Sequence, residues 1–367
     1  MSFDNIFIAT IPDTPHTGSL FLQPQSGLID SITCRNPEIR ELYKKQKSLD
    51  WDENEFSLST CVGEFQTCSP TTYDIMIKTL AWQWEADSIA AYNIIPIVAP
   101  FISSTELWIA WVKVGEIENL HALTYSEIVR NSFADPALVM AEILAETEAL
   151  KRISTVARAF SKIKDISLRV ATGEISRDSD EAYDAIMLFV CVNLIMERVQ
   201  FMASFAITFA VAETGAFLPI GQYVQKICTD ELQIHVKLNK AILNNELRLS
   251  RGKASYARIK STVNQIYDEV MQSELDWTDY TLPPGKELIG VDAPSIKAWQ
   301  LFNGADVVDF LNLTPAIPVV RSNPLPWIKG WIDINLIQGS PQEARPGNYL
   351  LGGVVDTAAN RVFDIDF

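Results

Sequence analysis

From residue 69 to about 313, apolar side chains recur at three- and four-residue intervals, the period of helices that bury one face. The pattern predicts long helices over 69–92, 103–131, 136–170, 179–212, 216–246, 254–280 and 293–312, with a short charged helix over 36–50 ahead of them. Helix breakers fall between these segments: Pro96 and Pro100, Asp135-Pro136, Gly173, Gly215 and Pro283-Pro284-Gly285. No comparable stretch alternates with period two, so the expected fold class is all-α, a long-helix bundle without a large sheet. Residues 1–35 are rich in turn formers and read as an irregular segment. The chain beyond about 314 is rich in Pro and Gly and ends in a short, acidic, aromatic tail.

Two runs, 185–196 and 199–212, are nearly all apolar. Together they approach the roughly 20 residues of a membrane span. Glu197 and Arg198 interrupt them, however, and a helix at the centre of a large bundle, apolar all round, explains them better. No membrane is therefore expected. A carboxylate in the middle of a buried helix is costly unless it is paired, so Glu197 needs a partner, and a metal ion is the strongest candidate.

Composition narrows the function. The 30 basic and 46 acidic residues leave a formal charge of −16, which argues against a protein that grips phosphate backbones, so no nucleic acid is expected. The five cysteines have no zinc-knuckle spacing and read as free thiols of a reducing cytoplasm. The chain starts without a basic region followed by an apolar run, so no secretory signal is expected.

The chain has only three histidines. His16, in a Pro-rich segment, reads as a surface residue. The other two each accompany a glutamate on a long apolar helix: Glu118 with His121 at i, i+3, and Glu231 with His235 at i, i+4. Two further helices each carry one acid among apolar neighbours, Asp87 in WEADSIAAY and Glu197 in LIMERVQF. Four helices, four carboxylates and two imidazoles make up the ligand set of a dinuclear carboxylate site in a bundle core. Two divalent ions bring four positive charges against four carboxylates, so the site is neutral and can be buried. Tyr125 follows His121 by one turn on the same face. It is either a structural hydrogen-bond donor or an electron donor to an oxidising metal pair. Phe201, Phe205 and Ile227, on the helices of Glu197 and Glu231, are core residues that could wrap that tyrosine in a dry pocket.

The stretch GEIENLHALTYSEIVRN resembles the metal and tyrosyl-radical helix of the class I ribonucleotide reductase small subunit. WEADSI, MERVQFMASFAITFA and KICTDELQIH resemble the other ligand helices in order, and the intervals of 31 from Asp87 to Glu118 and 34 from Glu197 to Glu231 fit that family. DWTDY, RSNPLPW, SPQE and NYLLG look like further signatures, so the likeness spans roughly 36–367.

The resemblance implies a ferritin-like core over 36–337, a homodimer, and a tail over 338–367 that docks on the large catalytic subunit. It implies that Asp87, Glu118, His121, Glu197, Glu231 and His235 hold two iron ions, with manganese as the alternative metal, and that dioxygen is activated there. It implies a radical on Tyr125, an electron and proton route through His121, Asp230 and Trp51, a redox tyrosine at Tyr349 in the tail, and a docking peptide ending in Phe367. Three departures stand out. The last motif is Glu-x-x-x-His where the family has Glu-x-x-His; the extra residue falls between Glu231 and His235, and a π-bulge would absorb it. Ile117, Asn119, Leu123 and Thr124 differ around the radical helix. Glu116 is an extra acid, expected to face solvent or a neighbouring chain. A ferritin-like di-iron hydroxylase or desaturase would use the same ligands. Against it stand Trp51, Tyr125 and the Tyr349 tail.

Overall fold

A computed structural model describes residues 18–24, 27–286 and 288–333. Among them there is no strand, only isolated bridges between Phe21 and Ile102 and between Leu288 and Val291.

The helices begin where the sequence supplies caps. Helix α1 is Pro37–Ser48, and an unexpected short helix α2, Ser59–Thr67, follows it. Ser69 accepts from the Thr72 amide and Pro70 occupies the first turn of α3 (Pro70–Val98). Helix α3 runs past its expected end because Pro96 lies in its last turn, where the missing N–H forfeits a single ladder bond. Ser104 caps α4 (Thr105–Ser132). The segment expected to be one helix over 136–170 is two. Asp135 caps α5 (Pro136–Leu144), and the chain breaks at Ala145-Glu146, where the Glu146 side chain caps α6 (Thr147–Ala171).

Helix α7 (Asp180–Ile195) continues through a π turn, Met196–Gln200, into α8 (Phe201–Glu213). Helix α9 (Leu218–Asp230) continues through a second π turn, Glu231–His235, into α10 (Val236–Glu246). Helix α11 is Ser250–Thr281 and α12 is Ala293–Leu311, opened by a capping box between Asp292 and Ser295. A 3-10 turn at Pro326–Ile328 leads into the single turn α13, Lys329–Ile332.

The α7–α8 helix, long and apolar enough to cross a membrane, lies inside the protein. Helix α7 packs on α6, α10 and α11, and α8 on α3, α9 and α12. Its lack of a polar face is explained by neighbours on every side. Gly252 lets α11 start against the end of α10, since a Cβ there would sit 1.9 Å from the Glu246 carbonyl oxygen. The segment 18–23 is strapped across the bundle, with the buried Glu246 carboxylate accepting from Leu20 N at 2.7 Å and Ser19 Oγ at 2.8 Å.

Candidate metal centre

Six side chains expected from the sequence converge in the core. Asp87 comes from α3, Glu118 and His121 from α4, Glu197 from the first π turn, and Glu231 and His235 from the second. None is more than 1% exposed. Asp87, Glu118, His121 and Glu231 each bring a donor atom within 4.8 Å of the others, as do Glu118, Glu197, Glu231 and His235. Glu118 and Glu231 belong to both groups, so each could serve two ions.

The second π turn settles the departure in the last motif. With a wider turn between them, Glu231 and His235 still face the same centre, His235 Nδ1 lying 2.8 Å from Glu231 Oε2 and 3.2 Å from Glu118 Oε1. Despite that proximity, neither histidine Nδ1 has a hydrogen-bond partner. Both oxygens of Asp87, Glu118 and Glu231, and Oε2 of Glu197, are likewise without one. Buried polar atoms are nearly always paired, so this many orphans in one place fit a cation-binding site.

The ionisation of the centre reflects the same crowding. Burial raises the Asp87 and Glu197 carboxyls well above their usual range. Burial and the Glu231 charge raise Glu118. For Glu231 burial acts upward but is outweighed by His235 and His121, so its carboxyl is held low. Burial alone would lower His121, but Asp230 and Glu231 raise it to about 10. His235 is raised for the same kind of reason, chiefly by Glu231 against burial. Metal binding here would therefore have to displace protons.

Around the centre the two histidines differ. His121 Nε2 lies 3.1 Å from Asp230 Oδ2. The same oxygen accepts from Trp51 Nε1 at 2.8 Å, and Asp230 Oδ1 accepts from Gln46 Nε2 at 2.8 Å. The Trp51 ring stacks beside the His121 ring, centroids 6.0 Å apart and planes 22° off parallel. The result is a continuous link from a half-buried indole to the cluster. Tyr223 holds the Trp51 loop, its hydroxyl meeting Phe56 N at 2.9 Å and Glu53 O at 2.8 Å. By contrast, His235 Nε2 has no partner.

Tyr125 is fully buried in the core cluster that also holds Phe201, Phe205 and Ile227, and its hydroxyl has no hydrogen-bond partner. Burial, then the Asp87 charge, raises its phenol well above the ordinary range. Of the departures on α4, Asn119 and Leu123 face outward while Ile117 and Thr124 are buried. Glu116 is exposed and pairs with Lys113 at 3.1 Å, as expected for an acid turned from the centre. Gln46, Tyr223 and Asn193, which donates to Glu197 Oε1 at 3.3 Å, were not foreseen. Only Asn193 carried a sequence signal, its i, i+4 spacing to Glu197. Tyr349, Phe367 and His16 lie outside the described residues.

The family model "Ribonucleotide reductase, small chain" matches residues 29–324. The chain is 25% identical over 342 residues to the ribonucleoside-diphosphate reductase subunit beta of Haemophilus influenzae, covering 88% of this chain and 89% of that one. It is 22% identical to the subunit beta of Enterobacteria phage T4 over 379 residues, covering 94% of each. In fold it resembles the ribonucleotide reductase R2 subunit of Clostridium botulinum, with a TM-score of 0.75 at 16% identity over 89% of this chain and 98% of the other. It also resembles a dimanganese(II)-NrdF of Streptococcus sanguinis, with a TM-score of 0.66 at 12% identity over 83% and 99%. The helical core, the buried acid and histidine cluster and a match over most of the chain agree: the protein belongs to the ribonucleotide reductase small-chain family.

Proposed function

We propose that this chain is the radical-generating small subunit of a class I ribonucleoside-diphosphate reductase, working in the cytoplasm with a large catalytic subunit. The observation that carries this reading is the hydrogen-bonded link Trp51–Asp230–His121 ending in six buried ligands, with Tyr125 one turn away. A store or scaffold has no use for such a link.

The donor set fits two divalent ions. Asp87, Glu118, His121 and Glu231 would hold one, and Glu118, Glu197, Glu231 and His235 the other. Carboxylates and imidazoles suit iron and manganese alike. When bound, the pair activates dioxygen and supplies the oxidant for a phenol.

Tyr125 gives up one electron and its phenolic proton. Its dry surroundings, to which Phe201, Phe205 and Ile227 contribute, keep water and reductants away from the oxidised ring. Asp230 fixes His121 as the Nε2–H tautomer, leaving Nδ1 for the metal, and accepts the Trp51 indole proton when that ring is oxidised. The oxidising equivalent then leaves through Trp51 and Tyr349 to the large subunit, on which residues 338–367 dock. Large apolar side chains left exposed on α3 and α4, Tyr92, Val112 and Leu123, support a homodimer. All five cysteines are free, in keeping with a reducing compartment.

The test is to add ferrous iron and air to metal-free protein. A sharp tyrosyl band with a matching paramagnetic signal is expected, and both should vanish in Tyr125→Phe. Metal uptake with no radical, under iron or manganese, would move the assignment to an oxygenase.

A further inference from the structure

Two more aromatic side chains, buried in the same core as Tyr125, could drain it once oxidised. Trp82 on α3 is buried and meets Phe201 edge-on, centroids 4.9 Å apart. Trp277 on α11 is buried and lies 5.7 Å from Tyr280, which is half-buried. Between the two indoles sits Arg152 of α6, 1% exposed, its guanidinium carbon 3.7 Å from the Trp82 ring centre and 5.0 Å from that of Trp277. Glu274 meets it along one edge, at 2.6 and 2.7 Å, and Ser204 Oγ accepts at 2.9 Å, so the in-plane donors are occupied and the faces are left to the rings. Lys78 lies over Tyr280 at 4.0 Å.

We infer that Arg152 is an electrostatic insulator, a positioning residue that keeps the oxidising equivalent of this centre from escaping through Trp82 and Trp277. The inference rests on the radical reading of Tyr125. Escape would pass one electron from Trp82 to the oxidised tyrosine, which takes back the phenolic proton it had given up and becomes a phenol again. It would leave a radical cation on the indole. That product loses the attraction between a ring's negative face and the cation and gains a like charge 3.7 Å away. It also has nowhere to send its proton, because Trp82 Nε1 and Trp277 Nε1 are both buried without an acceptor. Trp51 is arranged the opposite way, with its N–H on the Asp230 carboxylate. A carboxylate on the N–H of one indole, and a guanidinium against the faces of the others with its own carboxylate partner on its edge, would give the hole a single exit.

The experiment compares the wild type with Arg152→Gln/Glu274→Gln, which removes both charges together and leaves no lone buried ion. Each is loaded with ferrous iron in air, the tyrosyl signal is followed in time, and oxidised peptides are mapped by mass spectrometry. The double variant should form the signal and lose it about tenfold faster, the rate ratio for loss of one desolvated cation–π contact. Oxygen adducts should appear on Trp82 and Trp277, and adding Trp82→Phe should restore the lifetime. Arg152→Lys, which keeps the charge, should stay near the wild-type lifetime. A folded double variant with wild-type decay and unmarked indoles would reduce Arg152 to a packing role.

Should the double variant not fold, Tyr125→Phe serves instead, since it leaves Arg152 untouched. Oxidation there should mark Trp51 and spare Trp82 and Trp277; the reverse would overturn the insulator. A wild type that loads metal but gives no tyrosyl signal counts against the radical reading itself, whereas this peptide map needs only an oxidising centre.

Discussion

The two halves of the proposed centre are built on different backbones. Asp87, Glu118 and His121 stand on regular α-helix, while Glu197, Glu231 and His235 all stand on π turns. The regular half is also the connected one, since His121 reaches Asp230 and Trp51 whereas His235 Nε2 reaches nothing. A π turn widens the helix by one residue, so Glu231 and His235 face the same centre across one more residue than Glu118 and His121. The difference suggests a division of labour: a half on regular helix that passes electrons and protons, and a half whose wider turns carry ligands with slack in the backbone.

The largest effect should come from the residues both halves share. Glu118→Ala or Glu231→Ala removes a ligand from both groups. Metal analysis should show a fall from two ions per chain towards none, and the tyrosyl signal should disappear with them. Two ions retained in either variant would refute the bridging assignment.

Next come changes confined to one half. Asp230→Asn keeps size and one acceptor but removes the charge between His121 and Trp51. Metal stoichiometry should hold, while turnover with the large subunit falls by about 10- to 100-fold, the usual range for an outer partner of a metal-bound histidine. His235→Ala should act the other way round, emptying one position and leaving the His121 position filled. Equal losses in the two variants would erase the distinction between the halves.

A smaller effect separates metal from proton. His121 in the metal-free protein is raised from 6.5 to about 10. A group raised on folding stabilises the fold fully below its unfolded value, and that contribution is lost as pH climbs through the folded one. His121 should therefore make the metal-free protein lose thermal stability between pH 7 and 10. Metal must displace the same proton, so affinity should rise over that interval, by up to about tenfold per pH unit for each proton released. Calorimetry in buffers of different protonation enthalpy counts those protons directly. Binding independent of pH would mean that His121 is not a ligand.

The sequence made the ligand helices legible because their signals are strong and local: long apolar periodicity, breakers such as Pro100 and Gly215 between them, and scarce histidines beside acids. The wider turn at Glu231–His235 was also readable, since an extra residue disturbed a motif. The first π turn was not, because Met196–Gln200 breaks no spacing that a reader could check. The break at Ala145-Glu146 was missed since neither residue is a helix breaker; it depends on the Glu146 side chain, which caps α6 and accepts from Tyr280. Arg152 with Glu274, and Gln46 with Asp230, lie 122 and 184 residues apart in the chain, so only the packed fold unites them.

The finest test of the contrast between the halves is to delete one residue from each. Within Glu231–His235 the extra residue is carried by the wide turn, and the flanking helices α9 and α10 are regular. Deleting the half-buried Gln233 should therefore let an ordinary turn form with Glu and His at i, i+3, as Glu118 and His121 already are. Helix α10 should keep its packing, and both metals should still bind with only a small change in affinity. The same deletion in α4, at Leu120 between Glu118 and His121, has no slack to consume. It would rotate everything beyond it by about 100°, carrying His121 from the centre and Tyr125 from the core. Metal stoichiometry and melting temperature of the two deletion variants read this difference. Loss of both metals on removing Gln233 would show that the π turn is a built requirement of the site and not an absorbed insertion, and a tolerated Leu120 deletion would show that α4 has the same slack, erasing the contrast.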